Sequence, residues 1–232
     1  MHNSCGIRFT LSLEVSQVQQ QDCDVSPLKE QMKLQLRQIS KEIERSLATL
    51  DNENYCLLSE FVLISDAIQN VESIAASFYL QCYLSTFTNR FLELSISIRH
   101  LSERRHGALV VIERNDSVDT FLHSGIPIGA TLTHSLLESI FYTGSPLHDG
   151  AVLIKSDFIF SAGNVLPLSK ALAGEKKLGT RHRAAIGLTE ETDALVLVIS
   201  EETGGASFAF KGKLYPINAI DPIIGLKSMN LN

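Results

Sequence analysis

Gly107-Ala-Leu-Val-Val-Ile112 decides how the second half of the chain is read: a glycine, then five apolar residues with no charge among them. A run of that length is a strand buried on both faces, because a half-exposed strand alternates and a helix needs about ten residues or more. Ala194-Leu-Val-Leu-Val-Ile199 repeats the pattern and is the most apolar strand in the chain. Around these two lie Ala151–Ile154, Phe158–Phe160, Ser207–Phe210 and Lys213–Tyr215, with Ser156-Asp157 and Lys211-Gly212 as two-residue turns. Helices are expected over Phe91–Arg105, stopped by Gly107, and over Thr131–Tyr142. Hairpins beside helices that lie between strands give an α+β / α/β class. The expected architecture is a mixed central sheet flanked by helices, not a strictly alternating doubly wound fold.

Upstream the pattern is helical. Ser26-Pro27 offers a capping hydroxyl followed by proline at the first helical position. Leu28, Met32, Leu36, Ile39, Ile43, Leu47 and Leu50 then recur at spacings of three and four, forming one apolar stripe. Asp51-Asn-Glu-Asn54 breaks it as a turn, and Leu57, Phe61, Ile64, Ile68, Val71 and Ala75 mark a second helix. A two-helix hairpin cannot bury both stripes alone, so they meet the following domain or another subunit. The division expected is residues 1–84, a tail and helical hairpin for oligomerisation or regulation, and 85–232, the sheet domain with a short C-terminal tail. Phe9–Val15 alternates and is a candidate short strand.

Composition excludes several classes. A formal net charge of -6 argues against a nucleic-acid-coating protein. No apolar stretch reaches the roughly 18 uncharged residues of a membrane helix. The nearest, Leu57–Leu84, is interrupted by Glu60, Asp66 and Glu72. Met1–Val25 has neither the basic start nor the apolar core of a signal peptide. The four cysteines, at 5, 23, 56 and 82, show no C-x-x-C spacing, which supports neither a zinc site nor a disulfide framework. A cytoplasmic protein with no membrane and no nucleic-acid partner is expected.

Chemistry concentrates in three short segments. Gly179-Thr-Arg-His-Arg183 sets two guanidiniums and an imidazole in consecutive positions. Thr180 is a candidate cap, so that backbone N–H groups and Arg181, His182 and Arg183 would converge on a phosphate. A solvated basic turn is the alternative. His148-Asp149-Gly150 precedes a strand; Asp149 is a hard oxygen donor and Gly150 permits close backbone approach, or the pair is an ordinary Asp-Gly turn. Ser200-Glu-Glu-Thr-Gly204 follows the most apolar strand and brings two carboxylates, Glu201 and Glu202, unless these are simply solvated. Together the three suit a polyphosphate held by cations and N–H groups, with a divalent metal held by carboxylates from separate segments. Hydroxyls of Thr180 and Ser200 are available to its outer phosphate. No G-x-x-x-x-G-K-[ST] loop is present.

Five motifs in order, Gly107–Glu113, Pro146-Leu-His-Asp-Gly-Ala151, Leu166-Pro-Leu-Ser169, Gly179–Ala185 and Ser200–Gly204, resemble the bacterial diadenylate cyclase domain over about residues 85 to 215. The flanking regions resemble its soluble, spore-associated type. The resemblance implies condensation of two ATP into cyclic di-AMP with release of pyrophosphate, using Mg2+ or Mn2+. It implies a catalytic set of Asp149, Gly150, Ala151, Arg181, His182 and Arg183. ATP would be bound by Gly150, Leu168, Thr180, Arg181, His182, Arg183, Ser200 and Glu201, and the metal by Asp149 and Glu202. Asn164 stands where relatives often carry cysteine, and Ala130 where many carry a polar residue.

That reaction needs two nucleotide sites facing across a two-fold axis, so self-association is expected, with the N-terminal helices organising and restraining a higher homo-oligomer. Three other readings compete. A non-catalytic adenine-nucleotide regulator would need a broken motif, and none is broken. A metal phosphohydrolase around His148-Asp149 would place that pair within a helix, not before Gly150 and a strand. A purely structural assembly protein accounts for the hairpin but not for the three-part site.

Overall fold

The computed structural model describes residues 26–50, 57–169 and 178–217. The candidate strand at Phe9–Val15 and the turn at Asp51–Asn54 lie outside them. Described are helices α1 (Ser26–Ala48), α2 (Leu57–Ser85) and α3 (Phe91–Glu103), then strands β1 (Ala108–Ile112) and β2 (Ile126–Thr131). Helix α4 (His134–Ile140), β3 (Ala151–Lys155), β4 (Phe158–Asn164), α5 (Thr180–Glu191), β5 (Leu195–Ile199), β6 (Ala206–Phe210) and β7 (Lys213–Ile217) complete the order. Strand β2 is absent from the sequence reading because Pro127 and Gly129 argue against a strand, yet an edge strand with a bulge tolerates both. Helix α4 accordingly starts later than expected. Thr133 caps it through the Leu136 N–H, and Glu93 of α3 accepts the His134 N–H at 2.7 Å.

The seven strands form one mixed sheet in the order β2-β4-β3-β1-β5-β6-β7, with β1 and β3 parallel and every other neighbouring pair antiparallel. Strand β1 has a helical layer on each side, which explains its unbroken apolar run. Val110 and Ile112 join Val152, Ile154 and Leu197 under α2, α3 and α4. Leu109 and Val111 join Leu153, Val196 and Val198 beneath Ala184, Ala185 and Leu188 of α5. Both two-residue hairpin turns occur where expected. Lys211 and Gly212 take positive φ, as a tight hairpin between right-twisted strands requires.

Helix α2 behaves as two helices in one. Its C-terminal half places Ala76, Leu80 and Leu84 in the sheet's own core. Its N-terminal half and α1 form the hairpin, whose facing sides mix polar residues such as Gln35, Glu42 and Arg45 with apolar ones such as Ile39, Ile64 and Ala67. Arg45 reaches Glu42 at 2.9 Å and Glu60 at 3.2 Å, and Ser46 is buried beside Ile39 on the inner side. The apolar stripe of α1 is therefore split: Ile39 is buried, while Leu36, Ile43, Leu47 and Leu50 face solvent with Leu58, Phe61, Val62 and Leu63 of α2. The end of α2 is fastened to the sheet domain twice. Arg114 sits over Phe87, Phe210 and Tyr83 at 4.6, 5.1 and 5.7 Å from the ring centres. Asp157, in the β3–β4 turn, accepts from the Thr88 hydroxyl, the Asn89 N–H and the Asn89 side-chain amide.

Among the described residues no helix is long and apolar enough to cross a membrane. The cysteine reading needs a correction. Cys82 is disulfide-bonded, and the other three cysteines lie outside the described residues. Sequence spacing detects local clusters, not cysteines that folding brings together, so it gave no sign of this pairing.

Candidate functional site

Strand directions bring all five motifs to one end of the sheet. Strand β1 begins at Ala108, next to Gly107, and parallel β3 begins at Ala151, so Asp149 and Gly150 enter at the same end. Antiparallel β5 leaves there, because Ala108 pairs with Ile199, which delivers Ser200, Glu201 and Glu202. Strand β4 leaves there too, with Asn164 opposite Ala151, and runs into Leu166-Pro-Leu-Ser169. The last segment crosses α5 closely. A methyl on Gly187 would come within 2.6 Å of the Ser169 nitrogen, and Ser169 donates its N–H to the Arg183 carbonyl at 3.0 Å. That crossing fixes the N-terminal turn of α5 at the mouth of the site.

The cap differs from the sequence expectation. Gly179, extended at ψ 160, is the N-cap and makes no side-chain cap bond, while Thr180 is already helical. Its hydroxyl is thus not consumed in capping. The first helical bond runs from the Arg183 N–H to the Gly179 carbonyl, so the N–H groups of Thr180, Arg181 and His182 lie ahead of the ladder. No acidic residue occupies this first turn. The three basic side chains fan out and differ in environment. Arg181 pairs through Nη1 with Glu201 Oε2 at 2.9 Å, and Arg183 keeps a buried Nε without a partner. Burial, then the Arg181 charge, pushes the His182 pKa below its ordinary 6.5 against the opposite pull of Glu202, so the imidazole is largely neutral at neutral pH.

Asp149 and Glu202 are exposed, and neither has a hydrogen-bond or ion-pair partner among the described residues. Gly150 takes φ +115, and a Cβ there would lie 2.7 Å from the Gly163 carbonyl carbon. Backbone conformation and lack of space thus both require glycine. The Ala151 methyl is buried in the core, and its carbonyl accepts from Asn164 Nδ2 at 2.8 Å. Ser161 donates to Asn164 Oδ1 at 3.1 Å, so the departure noted at Asn164 is a satisfied buried polar link behind the Asp149 turn. Leu168 is half-exposed, leaving its backbone and side chain at the mouth. The Ser200 hydroxyl oxygen accepts from the Thr203 N–H at 3.3 Å and keeps its own proton for a ligand. Ser102 of α3 donates to the Gly204 carbonyl and pins this turn.

Sequence reasoning gave Gly187 no role and Gly107 only that of a helix stop. Each is a close-approach position, Gly187 against Pro167–Ser169 and Gly107 against Arg181, and partners so far along the chain leave no local trace.

Among the described residues no three or more His, Cys, Asp or Glu side chains gather as a metal cage. Two unpartnered carboxylates are nonetheless the donor type Mg2+ and Mn2+ take. Such ions usually bind through one or two carboxylates plus substrate phosphates and water. The residues present fit that group.

Comparison with known proteins identifies the family. A family model described as "DisA bacterial checkpoint controller nucleotide-binding" matches residues 95–214, and one described as "Diadenylate cyclase CdaS, N-terminal" matches 19–87. The chain belongs to the diadenylate cyclase family. A relative named diadenylate cyclase CdaS, from Bacillus thuringiensis, is 48% identical over 195 residues, covering 82% of this chain and 97% of its own. The cyclic di-AMP synthase CdaS of Bacillus subtilis is 48% identical over 189 residues, covering 82% and 91%. A crystal structure of a Bacillus cereus protein titled a hypothetical membrane spanning protein superposes with TM-score 0.69 at 48% identity, covering 83% of this chain and 94% of that one. DacA from Staphylococcus aureus, as a double mutant, superposes with TM-score 0.53 at 38% identity, covering 56% and 87%. The diadenylate cyclase segment and the CdaS N-terminal segment abut at the α2–α3 elbow, which Asp157 and Arg114 secure.

Proposed function

We propose that this chain condenses two ATP molecules into cyclic di-AMP and releases two pyrophosphates. The observation that carries the reading is the convergence of Arg181, His182, Arg183, Asp149 and Glu202 from separate segments at one end of the sheet. The 3′-hydroxyl oxygen of one nucleotide attacks the α-phosphorus of the other, the bond to the β-phosphate oxygen breaks, and pyrophosphate leaves. A second such step closes the ring. Little covalent work falls to the protein, so charge neutralisation and alignment dominate.

The N–H groups at the start of α5, with Arg181 and the half-buried Arg183, take up phosphate oxygens. Neutral His182 donates a hydrogen bond without adding charge. Thr180 and Ser200 offer hydroxyls to the outer phosphates, and Gly150 and the Leu168 backbone meet the base. Asp149 helps to activate the attacking 3′-hydroxyl. Asp149 and Glu202 would hold Mg2+ or Mn2+, which would neutralise the charge that develops between attacking and leaving oxygens.

Exposure of Asp149, Thr180, Glu201 and Glu202 supports a site that is open until a second one faces it. The occupant is a second copy of this chain, since each nucleotide serves as both nucleophile and electrophile. Residues 1–84 act as the oligomerisation and restraint element. The support is the outward apolar surface of α1 and the first half of α2, including Leu58 at 75% exposure and Leu34 at 68%.

The test is incubation with ATP and Mn2+ followed by chromatography of the products. Cyclic dinucleotide is expected. ADP or AMP with phosphate, or unchanged ATP, contradicts the proposal.

A further inference from the structure

Gly107 stands immediately before β1 with no function attached to it. Its φ is not positive, so backbone conformation does not require glycine there. Space does. A methyl built on its Cα would lie 2.7 Å from Cζ of Arg181, overlap Nη1 of the same guanidinium, and come within 3.0 Å of Cβ of Glu201. The guanidinium therefore rests against bare backbone at the start of β1, while Nη1 donates to Glu201 Oε2 at 2.9 Å.

We propose that Gly107 and Glu201 are positioning residues for Arg181: one supplies the notch that receives its guanidinium and the other the carboxylate that holds it there. The inference rests on the reading of this site as a cyclase site. Helix α5 fixes only the Cα of Arg181, and the long side chain beyond it has many rotamers. A wall and an anchor remove that freedom before substrate arrives, so the ordering cost is not charged against nucleotide binding. Guanidinium carries five N–H donors in a rigid fork, and the one given to Glu201 leaves the others for a phosphate. Glu201 then acts on ATP through Arg181, not by touching a phosphate that its own charge would repel.

The atoms an alanine at 107 would displace are the far end of a flexible side chain, not backbone. Gly107→Ala should therefore move Arg181 and leave the fold alone. Glu201 is 59% exposed, and its substitution should not disturb folding either.

The test is a double-mutant cycle on the full chain, read as the Kd of α,β-methylene-ATP by calorimetry and, in parallel, as kcat and KM for ATP. Gly107→Ala should weaken binding roughly tenfold or more in the native background but less than about twofold in an Arg181→Ala background, with an unchanged melting temperature. Glu201→Ala should behave likewise. Glu201→Gln, which keeps an acceptor oxygen for Nη1, should restore most of the loss. Equal factors in both backgrounds overturn the proposal. So does loss of the fold in Gly107→Ala, or a Glu201→Gln variant as poor as Glu201→Ala. If the native chain binds the analogue yet forms no cyclic di-AMP, the cyclase reading fails while the binding cycle still decides the positioning claim.

Discussion

The sheet domain and the helical hairpin bury apolar residues by opposite arrangements. In β1 every side chain is buried, and the two alternating sets meet partners within the same chain. In α1 and the first half of α2 the facing sides are mixed, with one ion pair, Arg45–Glu60, across them, while Leu34, Leu36, Leu47 and Leu58 face solvent. One region buries its apolar residues within the protomer, and the other leaves most of its leucines exposed. Catalysis adds a second contrast: every candidate catalytic group lies in the sheet domain and none on the hairpin. The proposed division of labour, chemistry in the sheet domain and assembly on the hairpin, has its joint at the α2–α3 elbow.

The largest effect should come from the catalytic side. Asp149→Asn should lower turnover by about a thousandfold, equivalent to about 4 kcal/mol of barrier, because the amide is a poor metal ligand and cannot accept the hydroxyl proton. Asp149 is exposed at a strand end, so the melting temperature should hold. Near-native turnover with ordinary Mn2+ dependence would break the division of labour.

A pair of leucines on one helix sharpens the comparison. Leu84 is 1% exposed and Leu58 is 75% exposed. Leu84→Ala should cost about 2–5 kcal/mol in chemical denaturation, through lost burial and the cavity left behind. Leu58→Asp should leave the protomer fold within about 0.5 kcal/mol and instead reduce the mass found by sedimentation. An unchanged mass would show that the outward face is not the association surface. The same burial pattern limits truncation. A deletion through residue 80 removes Ala76 and Leu80 from the sheet's core, so a test of the hairpin must end ahead of Val71.

The smallest effect concerns acid. For Glu138, burial is opposed and outweighed by bonds and charge from His100 and Arg104, holding its pKa below the ordinary 4.5. For Asp157, burial is likewise outweighed by bonds from Asn89 and Thr88 and by the Arg90 charge, holding it below 3.8. A carboxylate lowered in the fold contributes stability that is complete above its ordinary pKa and is lost as pH falls through the folded value. Stability should therefore decline only below about pH 4.5 from these groups. Asp157→Asn should flatten that decline and cost about 1 kcal/mol at neutral pH, seen as a shifted denaturation midpoint. A decline equal to the native one would remove Asp157 from the account of the elbow.

What the sequence disclosed follows from the range of each interaction. Strands β1 and β5 were legible because burial on both faces writes itself as an unbroken apolar run. The site motifs were legible because Arg181–Arg183, His148–Gly150 and Ser200–Glu202 are each contiguous. Strand β2 was hidden by Pro127 and Gly129, which an edge position permits. The stripe on α1 was found, but its direction was not, since no periodicity says that Gln35, Glu42 and Ser46 would turn toward α2 instead. The pairing of Arg181 with Glu201 spans 20 residues, and the notch at Gly107 lies farther still from its occupant. Contacts of that reach are decided by the sheet order alone.

The most direct measurement is specific activity against protein concentration, with products quantified. If paired protomers form the working unit, each cyclic di-AMP should appear with two pyrophosphates, and activity per chain should fall on dilution in step with dissociation measured by sedimentation. Constant activity per chain in fully monomeric material would contradict the account.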